Sequence, residues 1–314
     1  FSGRRQSGGL GGVPPNGITS VAGRGVRGVS PQLLLLGMGW GLSSTPQTFL
    51  KKEGPMSLGH YANKIIVVKI GGSTLGSHDT TLEDLVALQK AGAYPVVVHG
   101  GGDMITRWLS RHGIASRFEK GLRVTDADSL QVVVAVLAGW VNTDIVCSLQ
   151  RLGGKALGLA GTDGWLLVAR ARDPILGYVG EVERVDPSVV RLALSGEYIP
   201  VIAPTGVDKS GQPFNINADT AAGEIAAALG AEALFFLTDV AGVCDNRGNC
   251  LPSLDASGVE ALLSQGVISG GMIPKVEACL RALPWVRQAR IVDGRQPHAV
   301  LEALGNTPSG TRIV

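Results

Sequence analysis

Two lysines in this chain stand beside glycine turns. Lys69 closes the apolar run Ile65 to Val68 and is followed almost at once by Gly71 and Gly72. Lys275 follows Gly270-Gly271-Met272-Ile273-Pro274. Glycines let an anion come close to the backbone and free N–H groups to point at its oxygens, and an ammonium group adds a full positive charge at the same place. Phosphate is the first candidate ligand. A further turn, His99-Gly100-Gly101-Gly102, ends a second apolar run and repeats the arrangement. Phe214-Asn215-Ile216-Asn217-Ala218-Asp219 brings two amides and a carboxylate to the start of another helix, where they can fix a polar ligand. Bland readings stand beside these. The Lys69 segment is also compatible with an ordinary parallel strand that ends in a turn, each lysine with a solvated surface charge, and the Asn-rich stretch with N-capping by Asp219.

Elements that can position these residues follow from the pattern. Strands are expected at Ile65 to Ile70, Pro95 to His99, Ala156 to Leu159, Tyr198 to Ala203, Ala233 to Leu237 and Ala289 to Val292. Helices are expected from Thr80 or Thr81, either of which can cap, to Lys90, from Gly102 to about Arg111, and from about Asp126 to Leu149. Four more are expected over Thr220 to Leu229, Asp255 to Ser264, Gly271 to Leu283 and Pro297 to Leu304. Leu166 to Arg170 and Tyr178 to Val182 read as a surface β-hairpin. Strands alternating with helices predict an α/β fold, an open and mainly parallel sheet whose ligands lie at the strands' carboxyl ends. No internal repeat is visible.

The chain has 314 residues, 45% hydrophobic and 17% charged, enough for one large domain or two lobes. A net charge of +2 offers no basic field for nucleic acid. Four scattered cysteines, Cys147, Cys244, Cys250 and Cys279, read as free thiols of a reducing compartment. The first 55 residues differ from the rest: they hold 13 of the 45 glycines and a single acid, Glu53. Residues 1–60 are expected to be a low-complexity leader outside the functional protein, which would start near Met56. A transit peptide is the alternative, and the location is then an organelle rather than the cytoplasm. The apolar run Leu33 to Leu36 is too short for a membrane span.

Several chemistries drop out. Gly154-Lys155 is followed by Ala156 without the earlier glycine of a P-loop. The oxyanion-loop likeness of His99 to Gly102 lacks the G-x-S-x-G elbow of an α/β-hydrolase. Gly23 to Gly28 fits G-x-G-x-x-G but has neither a strand before it nor a helix after it. The histidines show no metal-binding spacing, and no protein-ligated metal is expected.

Taken in order, Lys69-Ile-Gly71-Gly72, His99 to Gly102, Gly121-Leu-Arg123-Val-Thr-Asp126, Asn215-Ile-Asn217-Ala-Asp219, Thr238-Asp239-Val-Ala-Gly242-Val and Gly271-Met-Ile-Pro-Lys275 resemble the amino-acid kinase superfamily, and within it the N-acetylglutamate kinases. The resemblance covers about residues 61–314. It implies a three-layer αβα sandwich, an acceptor-binding N-lobe of about 61–202 and an ATP-binding C-lobe of about 203–314. The implied reaction is ATP-dependent phosphorylation of the side-chain carboxylate of N-acetyl-L-glutamate in arginine biosynthesis. Catalytic roles fall on Lys69 and Lys275 as cations and on Asp219 as their organiser. Gly101, Gly102, Arg123, Asn215 and Asn217 would bind the acceptor. Gly71, Gly72, Asp239, Val240, Ala241, Gly242, Val243, Cys244, Val267, Ile268 and Ser269 would bind ATP, with Mg²⁺ riding on the phosphates. An acceptor carboxylate is already ionised at neutral pH, so no general base is required. Arginine-inhibited members of the family resemble one another in an N-terminal amphipathic helix and a Gly-Ile-Gly-Thr-Met type ending; neither pattern is seen here, so an arginine-insensitive homodimer is expected rather than a hexameric ring, and charge and run length point to neither nucleic acid nor membrane as partner. Carrier-linked aminoadipate or glutamate is the alternative acceptor. A non-catalytic nucleotide-binding regulator would need a lost lysine or aspartate, and none is missing.

Overall fold

A computed structural model of the chain describes residues 58–71, 80–119, 121–305 and 309–314. The leader up to residue 57 and Gly72 lie outside the described residues. In chain order the elements are β1 (Ile65–Ile70), α1 (Thr81–Lys90), β2 (Tyr94–His99), α2 (Gly102–Arg111), β3 (Phe118–Glu119) and β4 (Leu122–Arg123). One helical run follows: α3 (Ala127–Val134), a π-helical stretch (Ala135–Val141) and α4 (Asn142–Arg151). Next come β5 (Ala156–Ala160), β6 (Leu167–Ala171), β7 (Val179–Val185), α5 (Ser188–Ser195), β8 (Ile199–Ala203), β9 (Thr205–Val207) and β10 (Pro213–Ile216). The chain then runs through α6 (Ala218–Leu229), β11 (Ala233–Thr238), β12 (Ser253–Leu254), α7 (Ala256–Ser264), α8 (Ile273–Ala282), β13 (Gln288–Asp293), α9 (Ala299–Leu304) and β14 (Thr311–Ile313).

Eight strands form one sheet in the order β12-β14-β13-β11-β1-β2-β8-β5. All neighbours are parallel except β13 and β14. The apolar runs of β1, β2 and β11 are buried on both faces, as central parallel strands require. Hydrophobic clusters lie on either side: Val67, Leu234, Phe236, Ile225 and Val276 on one, Ile66, Val68, Phe235, Leu85 and Val300 on the other. Helix layers therefore cover both faces. Because β1 lies between β11 and β2 with Lys69 opposite Phe236 and Val98, the carboxyl ends of β1 and β2 share one edge with the end of β11.

Three local expectations change. The expected hairpin, β6 and β7, closes with β9 and β10 into a small barrel ordered β10-β7-β6-β9. Thr80 makes no side-chain cap on α1; its hydroxyl accepts from the His298 N–H. Cys244 and Cys250 are joined by a disulfide rather than free, because the turn around Asp245 makes them cross-strand partners. Cys147 and Cys279 are free.

Helix pair α6 and α8 depends on small residues. A Cβ on Gly223 would stand 2.9 Å from the Ala278 carbonyl oxygen, so only glycine permits this approach without a shift. Gly223→Val should therefore destabilise the fold by about 1–3 kcal/mol through overpacking. Leu192→Ala, at a site 72% exposed, should stay within about 0.5 kcal/mol. Urea unfolding of both variants checks the contrast.

Candidate functional site

Asp219 is the meeting point of three elements. Lys69 Nζ, from the end of β1, lies 2.9 Å from its Oδ1, and Lys275 Nζ, from the first turn of α8, lies 3.1 Å from its Oδ2. Lys275 also donates to the Gly271 carbonyl oxygen at 3.0 Å, which ties it to the turn that delivers it. Lys69 is 7% exposed and Asp219 5% exposed, so the ion triplet is largely out of water. Burial alone would raise the Asp219 carboxyl; the two ammonium groups outweigh it and hold its pKa below the ordinary carboxylate value. The three side chains expected to act together do converge.

The helix cap explains why Asp219 is available. Asn217, not Asp219, caps α6: its Oδ1 accepts from the N–H groups of Asp219 and Thr220, each at 3.0 Å. That fixes the helix start and leaves both Asp219 oxygens to the lysines.

A cavity of about 170 Å³ opens between the His99-to-Gly102 turn, β4 and the β10–α6 junction, lined among others by Gly101, Gly102, Arg123, Asn215 and Asn217. All five residues expected to hold an acceptor thus meet at one cavity. Arg123 is 7% exposed. It donates to the Gly102 carbonyl oxygen at 2.9 Å, to Thr106 Oγ1 at 2.8 Å and to Ser116 Oγ, and its guanidinium lies over the Phe118 ring. Burial lowers its pKa and Asp103 opposes the shift. Among the described residues its hydrogen-bond acceptors are all neutral and Asp103 acts only through space, so a bound carboxylate would supply a directly paired counter-charge. Asn215 donates to Thr125 Oγ1 at 3.1 Å. Thr106, Ser116 and Phe118 belong to no sequence motif; only the short β3–β4 pairing, Phe118 opposite Arg123, brings Phe118 there.

On the other side of β1, residues 239–244 leave the end of β11. Asp239, Val240 and Ala241 are exposed, whereas Val243 and Ile268 are buried in the same core cluster. Those two can offer only backbone to a nucleotide. Gly242 has φ 146°, and a Cβ there would meet Thr311 Oγ1 at 2.6 Å. Thr311 in turn accepts from the Val243 N–H at 2.8 Å and donates to the Leu251 carbonyl oxygen at 2.6 Å, pinning both legs of the loop to β14. Val267 to Ser269 lead into the turn before α8 and so reach the same end of the sheet as Lys275. Gly71 follows β1 directly.

A site with paired cations at glycine turns, set on the carboxyl edge of a parallel sheet, defines an anion-handling α/β enzyme. The chain belongs to the amino acid kinase family, whose model matches residues 64–293. Among its relatives, a protein named acetylglutamate kinase from Synechococcus sp. is 47% identical over 266 residues, covering 82% of this chain and 88% of that protein. A chloroplastic acetylglutamate kinase from Arabidopsis thaliana is 46% identical over 263 residues, covering 81% and 76%. The crystal structure of smu.665 from Streptococcus mutans matches with a TM-score of 0.70 at 31% identity, covering 82% of this chain and 99% of that one.

The ion triplet makes a stability prediction. A carboxylate whose pKa is lowered on folding contributes stability that is fully present above its unfolded pKa and lost as pH falls through its folded value. Asp219→Asn should cost roughly 3–5 kcal/mol at neutral pH, because a buried Lys69 and a half-buried Lys275 lose their shared partner. It should also flatten the acid limb of stability below about pH 4. Urea unfolding across pH reads both effects.

Proposed function

We propose that the chain transfers the γ-phosphoryl group of ATP to the side-chain carboxylate of N-acetyl-L-glutamate, giving N-acetylglutamyl 5-phosphate and ADP, a step of arginine biosynthesis. The observation that carries this reading is the Lys69–Asp219–Lys275 triplet beside a cavity that ends on Arg123. The relatives named acetylglutamate kinase support the same acceptor.

In this reading the acceptor's α-carboxylate pairs with Arg123, whose flat guanidinium suits two-point recognition. Asn215 and Asn217 hold the acetamido end, and the Gly101 and Gly102 N–H groups receive anionic oxygens. The side-chain carboxylate then faces the γ-phosphate. The barrier is repulsion between two anions brought into line, together with charge spreading over the transferring group. Lys69 and Lys275 neutralise that charge from opposite sides while Asp219 keeps both ammonium groups fixed, so little reorganisation is needed during transfer. Gly71 and Gly72 serve the phosphates, and residues 239–244 with 267–269 the rest of the nucleotide. The acceptor falls to the lobe of about 61–202 and ATP to that of about 203–314. Among the described residues no three His, Cys, Asp or Glu side chains gather as a metal cage, and both Asp219 oxygens are engaged by lysines. Mg²⁺ carried on the phosphates would supply further charge neutralisation there.

A homodimer fits the exposed edge of the sheet. Among the described residues β5 has a strand neighbour on one side only, and its Leu157 is 39% exposed. Beside it the helical run Ala127–Arg151 is apolar and long enough to cross a bilayer, yet Leu137, Ile145 and Leu149 pack into the fold, while Trp140 is 58% exposed. An unpaired strand edge flanked by exposed apolar side chains is suited to a second copy. The reaction belongs in the cytoplasm, or in an organelle if residues 1–55 act as a transit peptide.

A coupled ADP-release assay should give turnover with N-acetylglutamate and far less with glutamate, aspartate, UMP or carbamate; turnover on glutamate alone would move the activity to another acceptor. Lys69→Ala and Lys275→Ala should each cut kcat at least about tenfold, in line with loss of one transition-state contact worth ~3 kcal/mol. Light scattering should report a dimer, and Leu157→Lys should shift it towards monomer.

A further inference from the structure

His99 has no place in the chemistry above, yet it is fully buried directly before the glycine turn. Its Nε2 lies 3.2 Å from Asn142 Nδ2 and its Nδ1 lies 2.9 Å from the Gly100 carbonyl oxygen. The Asn142 amide has a forced orientation. Its Nδ2 also donates to the Val201 carbonyl oxygen at 2.7 Å and approaches that of Leu159 at 3.4 Å, so a flipped amide would set oxygen against oxygen. Its Oδ1 side faces Gly158, where an added Cβ would stand 2.2 Å away. Asn142 comes directly after the π-helical stretch, and such insertions reset the facing of the next helical residues.

One donor therefore faces Nε2, which must accept. The ring proton then sits on Nδ1 and is donated to the Gly100 carbonyl oxygen. The Gly100 N–H is held as well, by the Ile70 carbonyl oxygen at 2.9 Å, which couples the turn after β2 to the end of β1. Across a trans peptide the C=O and the following N–H point in opposite directions. With the Gly100 oxygen turned towards the buried imidazole, the Gly101 N–H is turned away from it, towards the cavity that Gly100 to Gly102 line.

We propose that His99, locked by Asn142 as the neutral Nδ1–H tautomer, is a positioning residue that aims the Gly101 N–H at the reacting anions. This rests on the function proposed above. The ring accepts no proton from substrate; it sets one backbone donor before substrate arrives, when an oxyanion-type contact costs least. Its neutrality agrees with its setting, since burial pushes its pKa down to about 4. The donated bond to Gly100 acts against that shift without overcoming it.

Nitrogen-15 shifts of the His99 ring in the unmodified protein should report the neutral Nδ1–H form from pH 6 to 8; the Nε2–H tautomer or a charged ring would overturn the proposal, whatever the substrate proves to be. Kinetics supply the second arm. His99→Phe keeps a ring but no donor and should lower kcat roughly tenfold or more while changing the KM for ATP less than about twofold. His99→Asn, which can still donate from near the Nδ1 position, should recover most of that loss at equal or lower thermal stability. A phenylalanine variant with normal kcat, or an asparagine variant no better than it, refutes the positioning role. Wild-type protein that releases no ADP with N-acetylglutamate refutes the function instead and leaves the ring-tautomer result standing. Should the phenylalanine variant not fold, the ring shifts still decide.

Discussion

Everything at the candidate site is arranged around one buried carboxylate with an ammonium group on each side. Asp219 between Lys69 and Lys275 is an expensive object to build. Each ion gives up its hydration, and such clusters are often no more stabilising than apolar packing of the same volume. The triplet is therefore better understood as a device that fixes geometry than as a source of stability. It joins β1, α6 and α8, three elements separated widely in sequence, and it does so at the edge where the glycine turns open.

The rest of the fold can be traced from what this contact demands. Lys69 must emerge from the sheet's centre, which calls for strand neighbours on both sides, and β2 and β11 provide them. Asp219 must point away from its own helix cap, which Asn217 makes possible by taking both N–H groups itself. Lys275 must come within reach of α6, which the close packing at Gly223 and Ala278 allows. Each of these is a local solution in a different part of the chain. Their joint product is a pair of cations held apart by a shared anion, instead of two mobile side chains that substrate would have to organise.

How much of this was legible beforehand follows from the kind of signal each feature carries. The central strands were readable because apolar runs bounded by glycine have few other meanings, whereas the convergence of Lys69, Asp219 and Lys275 was implied only by the resemblance of their motifs to the amino-acid kinases. The small barrel was only half readable. β9 and β10 are three and four residues long, and no period can be recognised in so short a run. β14 pairs antiparallel at the far side of β13, and nothing local in Thr311 to Ile313 specifies that partner. Capping by Asp219 is an open alternative in the sequence because Asp and Asn are near equals at N-caps; only the backbone, extended at Asn217, decides between them. Thr80 failed as a cap for a related reason, since a tertiary donor 218 positions away claims its hydroxyl. Cys244 and Cys250 read as free thiols because nothing in the sequence marks an oxidising compartment, whereas a tight turn centred on Asp245 is what brings them together.

Charge accounting over the whole cleft gives the proposed reaction its physical logic. Lys69 and Lys275 share a single carboxylate, and Arg123 hydrogen-bonds only to neutral acceptors among the described residues with Asp103 acting on it through space, so these groups together carry more positive than negative charge. A buried excess of that kind is unfavourable until anions arrive, and the proposed substrates bring several: the nucleotide phosphates and two carboxylates. Their binding would relieve the excess at the lysine pair and at Arg123. The repulsion that would keep a carboxylate and a phosphate apart in water is thereby set against attraction to fixed cations on either side. The proposed reading is also selective by position. Arg123 is held by Gly102, Thr106 and Ser116 rather than by the lysines' carboxylate, so in that reading it takes one end of a dicarboxylate while the other end meets the lysine pair. A monocarboxylate could satisfy only one of the two, which is the physical reason for an acceptor with an acid group at each end.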